Sequence, residues 1–381
     1  MFLSPSQIVF AFGLLATAGG AQRPIFTVGG ASPNFADLPA AIAGVPAGSV
    51  LVVRPGNYAG FTTSKPLRIV LAWSGPGSSI QPAAGSAYAI TVSGLPSGDE
   101  FALVGSGSTI AAGSLGGIRV INTNAPVLLA GLNVVATGGR TGLDIQYVGS
   151  LHARNCVFAG GTGLQADWAN LTLSECIVIG TGAGAVVNRS VFDVGRTFVS
   201  GNAQPALRCF DSSIRIASDG TTTIAVTGAP TIPISAIEGW LCPMQFDPTR
   251  IGLMPANGAP GVAQFGGYLL TDDVPTLTAS PAPLGAIATA RLHSNTVRPG
   301  MVVLGNLLGA PIPFQLANIF VDTVNAPIVA AIGLCGPTGL VAQTVIPPTT
   351  SVLGVVQCLQ GVVWQPNGVP VLSAPALWIT L

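Results

Sequence analysis

Residues 35–70 read FADLPAAIAGVPAGSVLVVRPGNYAGFTTSKPLRIV, and this stretch decides the fold. Asp37 stands where a helix N-cap would, and Leu38, Ala41 and Ile42 supply the apolar side of one or two helical turns. Pro39 falls early enough for the first turn to tolerate it. A Gly-Ser turn leads into Val50-Leu51-Val52-Val53, a short β-branched run suited to a buried strand. Arg54-Pro55-Gly56-Asn57-Tyr58 turns the chain, and Leu67-Arg68-Ile69-Val70 begins a second strand.

Outward from this unit, short apolar runs recur between Gly, Ser, Thr and Asn turns, as in 88–92, 101–104 and 117–121. No stretch between Ser74 and Thr227 keeps a 3.6-residue period, so the pattern predicts an all-β chain. Between Leu151 and Ser190 two blocks of 20 residues align, Cys156 with Cys176, Phe158 with Val178 and Gly160 with Gly180. The third block is expected to bring Phe198 into the column of Val178, with Asp193 where Leu173 stood. A period near 20 to 23 residues, one apolar strand and a Gly-rich turn per block, predicts a solenoid whose coils bury their inner faces only by stacking. Seven to nine coils are expected between Val50 and about Val226. The prolines between Gly228 and Asp273 predict a cap and a linker after the coils.

The order of short helix, Gly-rich turn, valine-rich strand and Pro-Gly-x-Tyr in 35–58, with the coils to about 226, resembles the right-handed parallel β-helix proteins of the pectin-lyase-like superfamily. From Val274 to Leu381 the strands are longer and alternate, with turns expected at 295–300, 309–313 and 366–368, a pattern that suits a β-sandwich. This part resembles the C-terminal β-rich module of exported bacterial proteins in Pro275 to Gly285, Gln360-Gly361, Gln365 and Ser373 to Leu381. The expected architecture is therefore all-β: a signal peptide over 1–21, a right-handed parallel β-helix with cap and linker over 22–273, and a β-sandwich over 274–381.

Composition narrows the function. The 381 residues are 49% hydrophobic and only 7% charged, with Gly 50 and Pro 31, which argues for packed structure over disorder. Formal net charge is zero, so no basic surface exists to draw nucleic acid or anionic lipid. Ile8 to Ala16 forms an apolar run shorter than a membrane span, and Ala18-Gly19-Gly20-Ala21 offers small residues for cleavage before Gln22, although no Lys or Arg precedes the run. The reading is a secreted or cell-surface chain with no membrane span after signal removal. Six cysteines without C-x-x-C spacing and two histidines argue against a metal site, and nothing calls for a cofactor. Cys335 and Cys358 are expected to bridge within the sandwich, closing a loop worth about 3 kcal/mol. Cys156 and Cys176 fit either a bridge or a stack of buried thiols.

The resemblance brings catalysis into question, because polysaccharide lyases and hydrolases share the β-helix. Glycoside hydrolysis needs two carboxylates roughly 5 to 9.5 Å apart, and coils spaced about 4.8 Å apart could supply them from neighbouring turns. The candidates are Asp144, Asp167, Glu175, Asp193 and Asp211, with Asp144 and Asp167 expected to stack on one edge and Arg154 as a helper. The only Asp-Asp dipeptide is Asp272-Asp273, in the expected linker, and no acidic cluster suits a calcium-dependent lyase. Tyr147, Asp167 and Trp168, with Arg154, read as a sugar-contacting patch. Weighed together, these features favour a non-enzymatic scaffold or adhesion protein that meets polysaccharide or the cell envelope. A lyase or glycosidase working in the β-helix groove is the alternative.

Overall fold

The computed structural model describes residues 23–71, 78–202, 204–228, 230–280, 284–314, 317–321, 327–346, 348 and 356–379. The expected signal peptide, 1–21, lies outside them. No helix among the described residues is long and apolar enough to cross a membrane.

The described residues between 25 and 270 form a parallel β-solenoid of about ten coils. Each coil contributes to three parallel sheets, here I, II and III in the order the chain meets them. Sheet I includes Val50–Val53, Arg68–Leu71, Val191–Gly195 and Ser213–Ile216. Sheet II includes Val157–Gly160, Ile177–Gly180 and Phe198–Gly201. Sheet III includes Ala185–Asn188, Leu207–Phe210 and Ile237–Trp240. Inward positions repeat by size. Ile90, Ile118, Leu143, Leu164, Ala185, Leu207 and Ile237 follow one another up sheet III, each buried on the one before. The helix Leu38–Gly44 caps the start, with Asp37 Oδ1 accepting from the Leu38 N–H at 2.8 Å and Leu38, Ala41 and Ile42 buried, as the opening stretch predicted.

Two corners explain how coils of unequal length stay in register. Where sheet III passes to sheet I, the residues Asn122, Tyr147, Trp168, Arg189, Asp211 and Leu241 adopt left-handed backbone with φ between 46° and 55°, flanked in the same column by Gly94 and Gly266. Where sheet I passes to sheet II, Gly131, Asn155, Glu175 and Arg196 do the same. The next residue in most of these bends donates back to the carbonyl two residues earlier. Ser190 Oγ reaches Asn188 O at 2.6 Å, Ser212 Oγ reaches Phe210 O at 2.7 Å and Thr197 Oγ1 reaches Gly195 O at 2.8 Å. Cysteine does the same work: Cys156, Cys176 and Cys242 donate at 3.2, 3.3 and 3.2 Å to Arg154, Ser174 and Trp240 carbonyls. Cys156 and Cys176 thus stand as buried thiols in successive corners.

Several expectations are corrected. Phe158 and Gly160 do pair with Val178 and Gly180, but one residue later the register slips. Val199, not Phe198, follows Val178, and Asp193 follows Thr172 while Val194 follows Leu173. The extra residue is taken up in the loop between 181 and 184, which a fixed 20-residue period cannot show. The coils do not end at Val226. Ile237–Trp240, Met244–Gln245, Gly252–Met254, Val262–Phe265 and Leu269–Leu270 add further rungs, and the prolines fall mostly in the connections between strands.

Beyond the solenoid, antiparallel sheets fit a β-sandwich, built around Arg298–Gly305 between Ile328–Cys335 and Val356–Trp364. Residues 309–313, expected as a turn, lie inside the strand Leu307–Phe314, because the extended backbone that proline favours is compatible with the edge hairpin to Ala317–Val321. Cys335 and Cys358 do not bridge. They stand opposite Arg298 and Gly305, seven residues apart on the shared strand and roughly 23 Å along it, well beyond disulfide reach. Cys335 instead donates to Leu292 O at 2.9 Å.

The sandwich covers the outer face of sheet I. The outward column Ala102, Leu128, His152, Thr172, Asp193, Arg215 and Gln245 is buried throughout. Phe320, Val321 and Leu377 pack on Ala102, Val104 and Leu128, and Asn318 donates to Asn170 Oδ1 at 2.9 Å. Arg215 spans Asp193 at 3.3 Å and the Leu372 carbonyl. His152 lies under the Phe320 ring, centroids 5.0 Å apart, with Nε2 2.7 Å from Ser150 Oγ. Burial pushes its pKa down to about 3. The folded chain therefore refuses a proton that the unfolded chain accepts near pH 6.5, so this contribution is present above about pH 6.5 and lost as the pH falls toward 3. Between about pH 6 and 4 the wild type should lose up to about 1.4 kcal/mol of stability per pH unit more than His152→Gln. Denaturant titrations at several pH values check this; identical slopes would contradict it.

Candidate functional site

With sheet I covered, the outer face of sheet III is the solvent-facing surface that combines carboxylates, amides and aromatic rings. Alternation along each strand sends one set of side chains into the core and the other outward. The outward pairs, coil by coil, are Arg119 and Ile121, Asp144 and Gln146, Gln165 and Asp167, Val186 and Asn188, Arg208 and Phe210, Glu238 and Trp240, Ala263 and Phe265. Beside them runs the left-handed corner column. A residue in that conformation at a sheet corner projects from the coil, which leaves Tyr147 and Trp168 more than half exposed.

Three regions follow along the face. Near the helical cap, Asp144 accepts from Tyr88 Oη at 2.6 Å and from Gln146 Nε2 at 3.2 Å, and lies 3.4 Å from Arg119 Nε. The carboxylate is saturated and only 4% exposed. In the middle, Asp167 accepts from Asn188 Nδ2 at 2.8 Å and Gln165 Nε2 at 3.3 Å, with Tyr147 and Trp168 at successive corners beside it. Arg189 lies over the Trp168 ring, 5.3 Å from its centroid. Toward the far end, Phe210 and Trp240 stack at 4.6 Å with 4° between planes, and Trp240 and Phe265 stack at 5.3 Å and 19°. Arg208 covers Phe210 and Trp240 while pairing with Glu238 at 3.3 Å. A cavity of about 360 Å³, lined by Ile42, Phe61, Thr62, Lys65, Ser86 and Tyr88 among others, opens where the helix meets the start of the face. Lys65 Nζ donates to the Ile42, Ala43 and Val45 carbonyls at 2.8 to 3.0 Å and fixes that wall.

The expected residues separate into two groups. Tyr147, Asp167 and Trp168 come together. Arg154 does not join them: it stands at the end of sheet I and pairs with Glu175 at 3.2 Å, which Arg196 also approaches at 3.7 Å. Asp144 and Asp167 do not stack. Asp144 pairs with Gln165, and Asp167 with Gln146, so the two acids are offset by one full alternation. Asp193 is sealed beneath the sandwich and Asp211 sits at the corner, 4.0 Å from Arg189. Among the described residues no three His, Cys, Asp or Glu side chains gather into a metal-binding group. The aromatic ladder of Phe210, Trp240 and Phe265 was not legible as a site. Its spacings of 30 and 25 residues fall outside the regular period, and only the register aligns them.

No family model matches the chain, and no curated protein does. Among solved structures it is similar to full-length tailspike protein 2 from a bacteriophage of Escherichia coli O157:H7, at 10% identity and TM-score 0.33, over 85% of this chain and 64% of that one. It is also similar to the enzymatically active domain of bacteriophage CBA120 tailspike protein 2, at 10% identity and TM-score 0.29, over 87% and 72%. The chain thus spans less than two thirds of the full-length tailspike.

The Tyr88 phenol reports on the first region directly. Burial, together with its hydrogen bond to Asp144, pushes its pKa up to about 12. In Asp144→Asn the phenol should titrate measurably lower, while the other tyrosines stay unchanged. Ultraviolet difference titration reads this, and an unmoved Tyr88 would show that Asp144 does not hold it.

Proposed function

We propose that this chain is an extracellular or surface scaffold that binds polysaccharide along the outer face of sheet III, without cleaving it. The single observation that carries the proposal is the run of aromatic side chains along one side of the solenoid, more than half exposed at Tyr147, Trp168 and Phe265. Trp168 and Tyr147 stand at the corner, and Phe210, Trp240 and Phe265 form a ladder with one ring per coil. The exposed Tyr147 and Trp168 rings and the Phe265 end of the stacked ladder suit the C–H faces of sugar rings, and the neighbouring carboxylates and amides suit their hydroxyls. Coils spaced about 4.8 Å apart repeat these contacts along the axis, as an extended polymer requires.

The same geometry argues against cleavage. Acid–base hydrolysis needs two carboxylates that reach the scissile bond from either side. Asp144 is held below the surface by Tyr88, Gln146 and Arg119. Asp167 is in register with Gln146 and Asn188 and so has no carboxylate directly beside it, while Asp211 and Glu238 are paired with Arg189 and Arg208. Elimination needs a base and cations around one substrate carboxylate, whereas Arg119, Arg189 and Arg208 on this face are each paired with an acid and Arg154 is occupied with Glu175 away from it. The sandwich, fixed over sheet I, serves as the attachment or assembly module and leaves sheet III open.

Trp240→Ala and Trp168→Ala should each weaken binding to a retained polysaccharide about tenfold, equivalent to about 1.4 kcal/mol. Affinity electrophoresis of the full chain against a polysaccharide panel measures this, with reducing-end and unsaturated-product assays run alongside. Unchanged affinity in both variants, or product release by the wild type, would refute the proposal.

A further inference from the structure

The charges on this face have a pattern that bears on the ligand, given the glycan-binding reading above. Arg119 pairs with Asp144 at 3.4 Å, Arg189 with Asp211 at 4.0 Å and Arg208 with Glu238 at 3.3 Å. Asp167 is held by two side-chain amides, and Arg140 stands exposed at the edge of the same sheet. Four guanidinium groups and four carboxylates therefore share the face, and Arg119, Arg189 and Arg208 each have their acid one coil further along the axis. Neighbouring coils lie about 4.8 Å apart, well inside a Debye length of about 8 to 10 Å, so their fields cancel before reaching a polymer in solution.

Two of the cations are also committed to rings. Arg189 covers Trp168, and Arg208 covers Phe210 and Trp240. A uronate carboxylate drawn to Arg208 would meet Glu238, and one drawn to Arg189 would meet Asp211. Neutral hydroxyls meet no such opposition. They can donate to the carboxylates and accept from the amides of Gln146, Gln165 and Asn188 without displacing an ion pair. We infer that the face selects an uncharged polysaccharide, with carboxylate-bearing and sulfated polymers rejected by its own paired acids.

The test uses the full chain with a neutral glucan, a neutral galactomannan, polygalacturonate and a sulfated galactan, at about 50 mM and about 500 mM NaCl. The expected result is binding to a neutral polymer with Kd changing less than about twofold across the salt range. The double variant Asp211→Asn, Glu238→Gln leaves Arg189 and Arg208 without their acids. Provided that circular dichroism shows the wild-type fold, it should gain salt-sensitive binding to polygalacturonate, about tenfold at the lower salt. Wild-type preference for an acidic polymer, lost at high salt, would overturn the inference and leave the glycan-binding reading standing. So would a folded double variant that gains nothing. Binding to none of the four would remove the glycan-binding reading itself, and this inference with it.

Discussion

The structure depends on the left-handed bend that recurs between sheets III and I, and in four central coils also between sheets I and II. A non-glycine residue in that conformation costs on the order of 1 kcal/mol, yet six consecutive coils accept it between sheets III and I. The compensation is local. At most of these corners the following Ser, Thr or Cys lies inside the bend and donates to the carbonyl two residues back, as a second bond beside the backbone N–H that Phe210, Gly195 and Trp240 carbonyls already accept from the neighbouring coil. Serine, threonine and cysteine are interchangeable here as small donors, and Val148 and Ala169 fill the same position without one. The cysteines of the corners are therefore parts of a turn, and their presence says nothing about redox chemistry. The bend also throws its own side chain outward, which is how Tyr147 and Trp168 come to line the edge of an otherwise ordinary sheet.

The second constraint is the fate of sheet I. Its outward column carries a histidine, a threonine, an ion pair and a glutamine, which would suit a wet surface, yet all are buried. Asp193 and Arg215 are each 2% exposed in their side chains. Burial pushes the Asp193 carboxyl up, and Arg215 opposes that shift. Such a pair adds little net stability, but removing one partner leaves a buried charge and costs about 3 to 5 kcal/mol. It therefore fixes where the sandwich sits more than how firmly. Arg215 reaching the Leu372 carbonyl links the solenoid to the last strands of the chain. This docking decides which surface remains for a ligand.

Much of the fold was legible because it follows from periodicities of two and of about 20. The cap helix with its Asp37 N-cap, the Val50–Val53 strand and the stacking of Phe158 on Val178 all follow from side-chain size at repeated positions. The register beyond Gly180 was not, since one added residue in a loop leaves the local pattern intact while shifting every partner. The coils after Val226 were hidden because long proline-bearing connections look like a linker when only the strands are short and spaced. The site was half legible. Asp167-Trp168 and Tyr147 announce themselves as aromatic and acidic residues one coil apart. Phe210, Trp240 and Phe265 do not, because coils of irregular length scatter them in sequence. Arg154 misled for the opposite reason: it lies near Tyr147 in sequence, but a corner intervenes and places it on another sheet.

The sandwich seals one face of the solenoid, and on our proposal sheet III is the face that binds polysaccharide. Hydroxyl-radical footprinting of the full chain, with and without a bound neutral polysaccharide, tests it most directly. Trp168 and Trp240 should become protected, together with Phe265, while Trp364 on the sandwich keeps its reactivity. Protection centred on the sandwich, with Trp168 and Trp240 unchanged, would contradict the account.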